Sequence, residues 1–216
     1  TDAVQAFCWT DLAEAAAPAD LMSLSAHKFG EPKGVGVLVV REGVALTPRQ
    51  LGGGQERGLR SGTQNVAGIA AAAAAATVTA EHRAVEVERI SELRDRLLDG
   101  LMASVAGLVE TGAVGGGAAP DRSGRVPGVA HVWIAGVAGE VMMFLLERDD
   151  IFASAASSCS SGAMESSHVL AAMGVAPELV GGSLRLSLGW STTDAEIDHA
   201  LAVIPAAVER LRSFGL

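Results

Sequence analysis

The chain has 216 residues, enough for one or two domains of ordinary size, and 49% of them are apolar, which is ample for a buried core. A formal net charge of −9 without any basic stripe argues against nucleic acid and anionic membrane as partners. No secretory n-region and h-region open the sequence, and the longest apolar run, Val66 to Val78, is broken by Gly68 and shorter than the roughly 18 residues of a membrane span, so Cys8 and Cys159 are read as reduced thiols of a cytoplasmic protein.

The first residues include Asp2 and Gln5 in D-A-V-Q, which alone would be an exposed N-terminal turn. Cys8, between Phe7 and Trp9, reads as a small core residue. Asp11 to Ala17 predicts a short helix ended by Pro18. An apolar run, Leu21, Met22 and Leu24, then leads into Ser25-Ala26-His27-Lys28. A turn marked by glycine and proline follows, Gly30-Glu31-Pro32-Lys33-Gly34, and then a second strand from Val35 to Val40. Lys28 and Lys33 are the only lysines. A lysine at the mouth of a buried strand, beside a hydroxyl and an imidazole, is poorly solvated and sheds its proton more readily, as a Schiff-base amine must. Lys33, in the turn, should stay hydrated. An isolated S-x-H-K tetrapeptide, however, reads first as the end of a strand, and a single histidine as a satisfied structural one.

Gly52 to Asn65, GGGQERGLRSGTQN, is dense in glycine and precedes a helix, an arrangement that lets backbone amides approach an anion. It is neither a Walker A loop nor a dinucleotide fingerprint. From Asn65 to about Val105 the pattern is helical. Its alanine-rich first half should be buried, and its second half carries Val85, Ile90, Leu93, Leu97 and Leu101 at helical spacing among charges that read as a solvated face. The shift in composition near Ala80 places a domain boundary there, giving segments 1–80 and 81–216. Gly112 to Gly128 reads as a loop, Val129 to Ile134 as a strand, and Ala138 to Arg148 as a helix facing the core through Val141, Phe144 and Leu145.

Ser154 to Ala163 contains only Ser, Ala, Gly and Cys159, the composition of a mobile surface loop. A lone cysteine there is a candidate for reactivity, against the alternative of an incidental surface thiol. In Gly182 to Gly189 the alternation of Leu184, Leu186 and Leu188 predicts a strand with one apolar face. Arg185, Ser187 and Gly189 share the other face, and Arg185 suits a bidentate grip on a carboxylate or, failing that, a surface ion pair. Thr193-x-x-Glu196 is a capping box opening a last helix to Phe214, which Pro205 should bend or interrupt.

These motifs together resemble one family. Ser25-Ala26-His27-Lys28, the Gly52 to Thr63 segment, Ser157-Ser-Cys159-Ser-Ser-Gly with the following E-x-S-H-V-L, and R-x-S-L-G at Arg185 are similar to the group I (NifS/IscS-like) cysteine desulfurases, fold-type I enzymes dependent on pyridoxal 5'-phosphate (PLP). The resemblance implies an α/β protein, the C-terminal part of the PLP-binding large domain followed by a small α+β C-terminal domain, with a large N-terminal half outside this chain. It implies that Lys28 holds the cofactor covalently, that Ser25 and His27 bind its phosphate, and that Asp2 pairs with its pyridinium nitrogen and Gln5 with its phenolic oxygen. Thr63 would reach the phosphate in the neighbouring subunit of a homodimer. Arg185 would bind the carboxylate of L-cysteine, and the Cys159 thiolate would take its sulfur for an acceptor or scaffold protein in iron–sulfur cluster assembly or thiolation. No metal is assigned. Glu31 stands where the family usually has glycine, a change a turn should tolerate. The alternatives are another fold-type I enzyme such as an aminotransferase, with Cys159 incidental, or a non-catalytic interaction module lacking a complete site.

Overall fold

Strand pairing sorts the elements into two antiparallel sheets in two separate compact units, Thr1–Glu86 and Val87–Leu216. The computed structural model describes residues 1–111, 121–154, 172–173 and 181–214.

In the first unit, β1 (Leu21–Ser25) pairs antiparallel with β2 (Gly36–Val40), with Leu21 opposite Val40 and Ser25 opposite Gly36. On its other side the chain start runs parallel to β1: Ser23 N donates to Thr1 O at 3.1 Å and Ala3 N to Ser23 O at 3.0 Å. β1 is therefore hydrogen-bonded along both edges, and Asp2 lies beside Ser23. Helix α1 (Leu12–Ala15) is a single turn, shorter than expected, capped by Asp11, which accepts from Ala13 N at 2.9 Å.

Helix α2 (Val66–Ser104) runs unbroken through Ala80; the change of composition there marks no break, and the units divide at Glu86. Its first half is not buried as expected. Ala72, Ala75 and Ala76 pack on Ala26, Phe29, Phe7 and Val35, whereas Ile69 and Val78 are exposed. One stripe has a partner within this unit and the rest of the helix surface has none there. The stripe continues with Thr79, whose Oγ1 donates to Phe29 O, and Arg83, whose Nε donates to Phe7 O at 3.2 Å with the guanidinium 5.3 Å from the Phe7 ring centre.

The second unit stacks helices on one face of a sheet ordered β3 (Leu108–Glu110), β4 (Val129–Ile134), β5 (Ser183–Ser187). Strand period 2 places Leu108, Ala130, Val132, Ile134, Leu184 and Leu186 on the buried face. Against them lie Ile90, Leu93, Leu97 and Leu101 of α2, Met142 and Leu146 of α3 (Gly139–Arg148), and Ile197, Ile204, Val208 and Leu211 of α4 (Asp194–Phe214). Each such side chain contributes about 1.5–3 kcal/mol on burial. The expected core face of α3 is corrected: Phe144 is exposed and Val141 and Leu145 only half-buried, because the helix turns Met142 and Leu146 inward. Its start sits against the sheet, with Gly139 N donating to Gly181 O at 2.8 Å; a Cβ on Gly182 would fall 2.1 Å from Ile134 O. The capping box forms, with Thr193 N donating to Glu196 Oε2 at 2.7 Å and Glu196 N to Thr193 Oγ1 at 3.3 Å, and α4 continues through Pro205 without a break.

The charged half of α2 is not wholly solvated. Arg94 is buried and donates to Asp95 at 2.8 Å, and near it Arg122 joins buried Glu110 at 2.7 Å and Asp99 at 2.9 Å, with Arg125 also on Glu110. Burial pulls the Arg122 guanidinium towards deprotonation, but the hydrogen bonds it donates to Glu110 and Asp99 outweigh it and hold it firmly charged. Removing one member of a buried ion pair leaves the other uncompensated and costs about 3–5 kcal/mol. Because Arg125 stays on Glu110 and Asp99 is exposed, Arg122→Ala should cost less than that, about 1–3 kcal/mol read from the urea midpoint of unfolding, and still more than loss of an exposed pair such as Arg41–Asp20.

Candidate functional site

Ser25 closes β1 in extended conformation, and Ala26–Phe29 then make one 3-10 turn ended by Gly30 at φ +94°, a left-handed conformation that glycine adopts without strain. Ala26 and Phe29, three residues apart, are buried, and His27 and Lys28 between them are exposed. The turn thus offers an imidazole and an amine outward because its two apolar residues are pulled inward. The Ser25 hydroxyl bonds His27 Nδ1 at 2.8 Å and fixes the ring. Cys8 Sγ donates to Lys28 O at 3.2 Å, tying the chain start to the turn. Asp2, beside Ser23, accepts from Val4 N at 2.8 Å and closes the turn leading to exposed Gln5. Asp2, Ser25, His27 and Lys28 are accordingly brought to adjoining strands and one turn.

The expected burial of Lys28 is corrected. β1 is half-buried along its length and Lys28 is open, so in this unit nothing withholds solvent from the amine. Glu31, in the turn that follows, is buried, with Oε2 lacking a partner among the described residues.

The glycine-rich segment folds on itself. Gln55 Oε1 accepts from Gly62 N at 3.1 Å, Ser61 Oγ from Gly54 N at 3.3 Å, and Gln64 Nε2 donates to Glu56 at 2.7 Å. Glu56 and Arg57 hold φ of +49° and +57°, unusual for residues with side chains. Thr63 is exposed just before α2, and Asn65 accepts from Gly68 N at 3.0 Å, using one of the helix's free amides.

Arg185 lies in the second unit, on the face of the sheet opposite the helices, as the leucine alternation predicted. It is bonded on both sides. It pairs with His131 of β4 across the sheet, and on the outer edge its N donates to Ser154 O at 2.7 Å while Ser154 N donates to Arg185 O at 3.1 Å. His131 was not anticipated, although its place between Val129 and Trp133 in an alternating strand assigns it to this face. Its Nδ1 bonds Thr111 Oγ1 at 2.6 Å and its Nε2 bonds Ser183 Oγ at 2.9 Å. Burial, and then the charge of Arg185, push its pKa below the ordinary histidine value. The Trp133 indole N–H on the same face is buried without an acceptor among the described residues. Cys159 lies outside the described residues.

Known proteins resemble this chain along nearly its whole length. The aminotransferase class-V profile matches residues 1–200. The chain belongs to the aminotransferase class-V family. Within reach of that family, an IscS-like cysteine desulfurase of Mycobacterium tuberculosis is 40% identical over 216 residues, all of this chain and 53% of that protein. A cysteine desulfurase of Gluconacetobacter diazotrophicus is 40% identical over 212 residues, 98% of this chain and 51% of its own length. A solved NifS-like protein superposes with a TM-score of 0.82 at 34% identity, covering 97% of this chain and 52% of that one. The chain thus spans about half the length of the curated relatives it matches. Class-V aminotransferases and cysteine desulfurases depend on PLP, and the α/β fold is that of the NifS-like neighbours. Among the described residues no helix is long and apolar enough to cross a membrane.

Of the two cysteines, Cys8 is the one within the described residues, half-buried and donating to Lys28 O. Burial raises its thiol pKa above the ordinary value and Arg83 recovers only part of that. In a Cys159→Ala variant, where Cys8 is the remaining thiol, alkylation by iodoacetamide at pH 7 should be slower than that of free cysteine and should rise with pH beyond 9. Adding Arg83→Ala should slow it further.

Proposed function

We propose that this protein is a group I cysteine desulfurase, using PLP to remove sulfur from L-cysteine and leaving L-alanine and a persulfide on Cys159. The observation that supports this reading best is the turn Ser25–Lys28: a hydroxyl and a fixed imidazole beside one exposed amine, with a carboxylate on the adjoining strand at Asp2. Its donor set fits the cofactor. Ser25 and His27 supply hydrogen bonds for a phosphate, Lys28 an amine for an aldehyde, and Asp2 an acceptor for a protonated ring nitrogen. Gln5 would donate to the ring's phenolic oxygen, and Thr63 would contact the phosphate of a second subunit, which makes a homodimer the working form.

When bound, PLP supplies an aldehyde and an electron sink for the substrate's α-carbon. Lys28 would hold it covalently, and the Lys28 amine would also be the base that carries the α-proton. Arg185 binds the substrate carboxylate by two parallel hydrogen bonds, its backbone steadied by His131's strand on one side and Ser154 on the other. The Cys159 thiolate attacks the substrate sulfur. A sulfur–sulfur bond forms, the Cβ–S bond breaks with its electron pair on carbon, and protonation of that carbon gives L-alanine. Cys159 is five positions along the chain from Ser154, at most about 17 Å of extended chain, and Ser154 is bonded to Arg185. The sulfur then passes to an acceptor or scaffold protein, in iron–sulfur cluster assembly or thiolation, in the cytoplasm.

Addition of PLP to the protein should produce an absorption band that is absent in Lys28→Ala. Cys159→Ala should abolish alanine release from L-cysteine while keeping that band. Alanine release at the native rate without Cys159 would overturn the role given to Cys159, and turnover of L-cysteine to a 2-keto acid only when a keto-acid acceptor is present, indifferent to Cys159→Ala, would overturn the desulfurase reading in favour of an aminotransferase.

A further inference from the structure

The face of the second unit's sheet that bears Arg185 is more elaborate than carboxylate binding alone requires. His131, Thr111 and Ser183 come from three neighbouring strands or their ends and form one line of hydrogen bonds, hydroxyl to imidazole to hydroxyl. Both ring nitrogens are occupied, so the ring cannot flip or tilt without losing a bond. A neutral imidazole donates through one nitrogen and accepts through the other, and a hydroxyl satisfies either role. Directly opposite residues of an antiparallel pair have their Cβ atoms about 4.5–5.5 Å apart. The immobile ring therefore occupies the space beside the Arg185 stem, and the guanidinium starts from a restricted set of rotamers. Kept neutral by burial and by Arg185, the imidazole adds no second charge to the site.

We propose that His131, clamped between Thr111 and Ser183, is the positioning residue that sets Arg185 for an α-carboxylate, so that the preference of the site for an amino acid over the corresponding amine passes through His131. This rests on Arg185 being the carboxylate-binding residue. A preset arginine loses less side-chain freedom when the carboxylate arrives, and that difference falls on substrate binding and not on the chemical step.

The test compares L-cysteine with cysteamine, which has the same amine and thiol but no carboxylate, in the PLP-loaded protein. His131→Ala should raise KM for L-cysteine about three- to tenfold, the scale of ordering one long side chain, with kcat within about twofold. Thr111→Val and Ser183→Ala should each reproduce part of that rise, and none of the three should change KM for cysteamine. An unchanged KM for L-cysteine, or an equal rise for both substrates, would overturn the proposal, the latter by showing a general structural role. Arg185→Ala should erase the preference for L-cysteine and make His131→Ala silent. If the preference survives without Arg185, it is the carboxylate reading that fails. A separate measurement needs no cofactor or turnover: in the nitrogen NMR titration of the imidazoles, the His131 resonance, identified by its loss in His131→Asn, should titrate below the ordinary histidine range and move upward in Arg185→Ala. A titration indifferent to Arg185 would overturn the coupling of the two side chains.

Discussion

The burial of Ala26 and Phe29 against Ala72 governs the first unit. A 3-10 turn has three residues per turn, so side chains three apart lie on one side of it and the intervening ones are turned away. With Ala26 wholly buried and the Phe29 ring 4.7 Å from that of Phe7, His27 and Lys28 have no choice but to project outward. Gly30 then reverses the chain at a positive φ, and β2 returns along β1. The reactive groups are held by the packing of apolar residues they do not touch.

The second unit uses the complementary device. One face of its sheet is occupied by leucine, isoleucine and valine under helices, which fixes strand register, since a slip of one residue would exchange the two faces. That register places His131 opposite Arg185 and Ser183 opposite Trp133. The polar face inherits its order from the apolar one. Below it, the buried Arg122–Glu110 pair and its neighbours hold residues 122–125 to the end of α2 and β3.

The two units differ in how much apolar surface they cover. In β2, Val37, Leu38 and Val39 are all exposed, as are Ile69 and Val78 on α2. A two-stranded ribbon has two faces and little with which to cover them, so strands that read as buried from composition remain open within the unit. Lys28 is open for the same reason, and its solvation depends on what lies over that ribbon.

The residues alone established a good deal. The leucine alternation of β5, the capping box of α4, the hairpin around Gly30 to Gly34 and the grouping of Ser25, His27 and Lys28 were legible because each depends on spacing along a few residues, and the family could be recognised from them. The tertiary structure decided the rest. It assigned α3 its inward face through Met142 and Leu146, left most of the alanine helix uncovered, buried Glu31 in a turn, and drew His131 between two hydroxyls 20 and 52 residues away. Burial and long-range hydrogen bonding are properties of what a residue meets, and neighbours in the chain do not determine that.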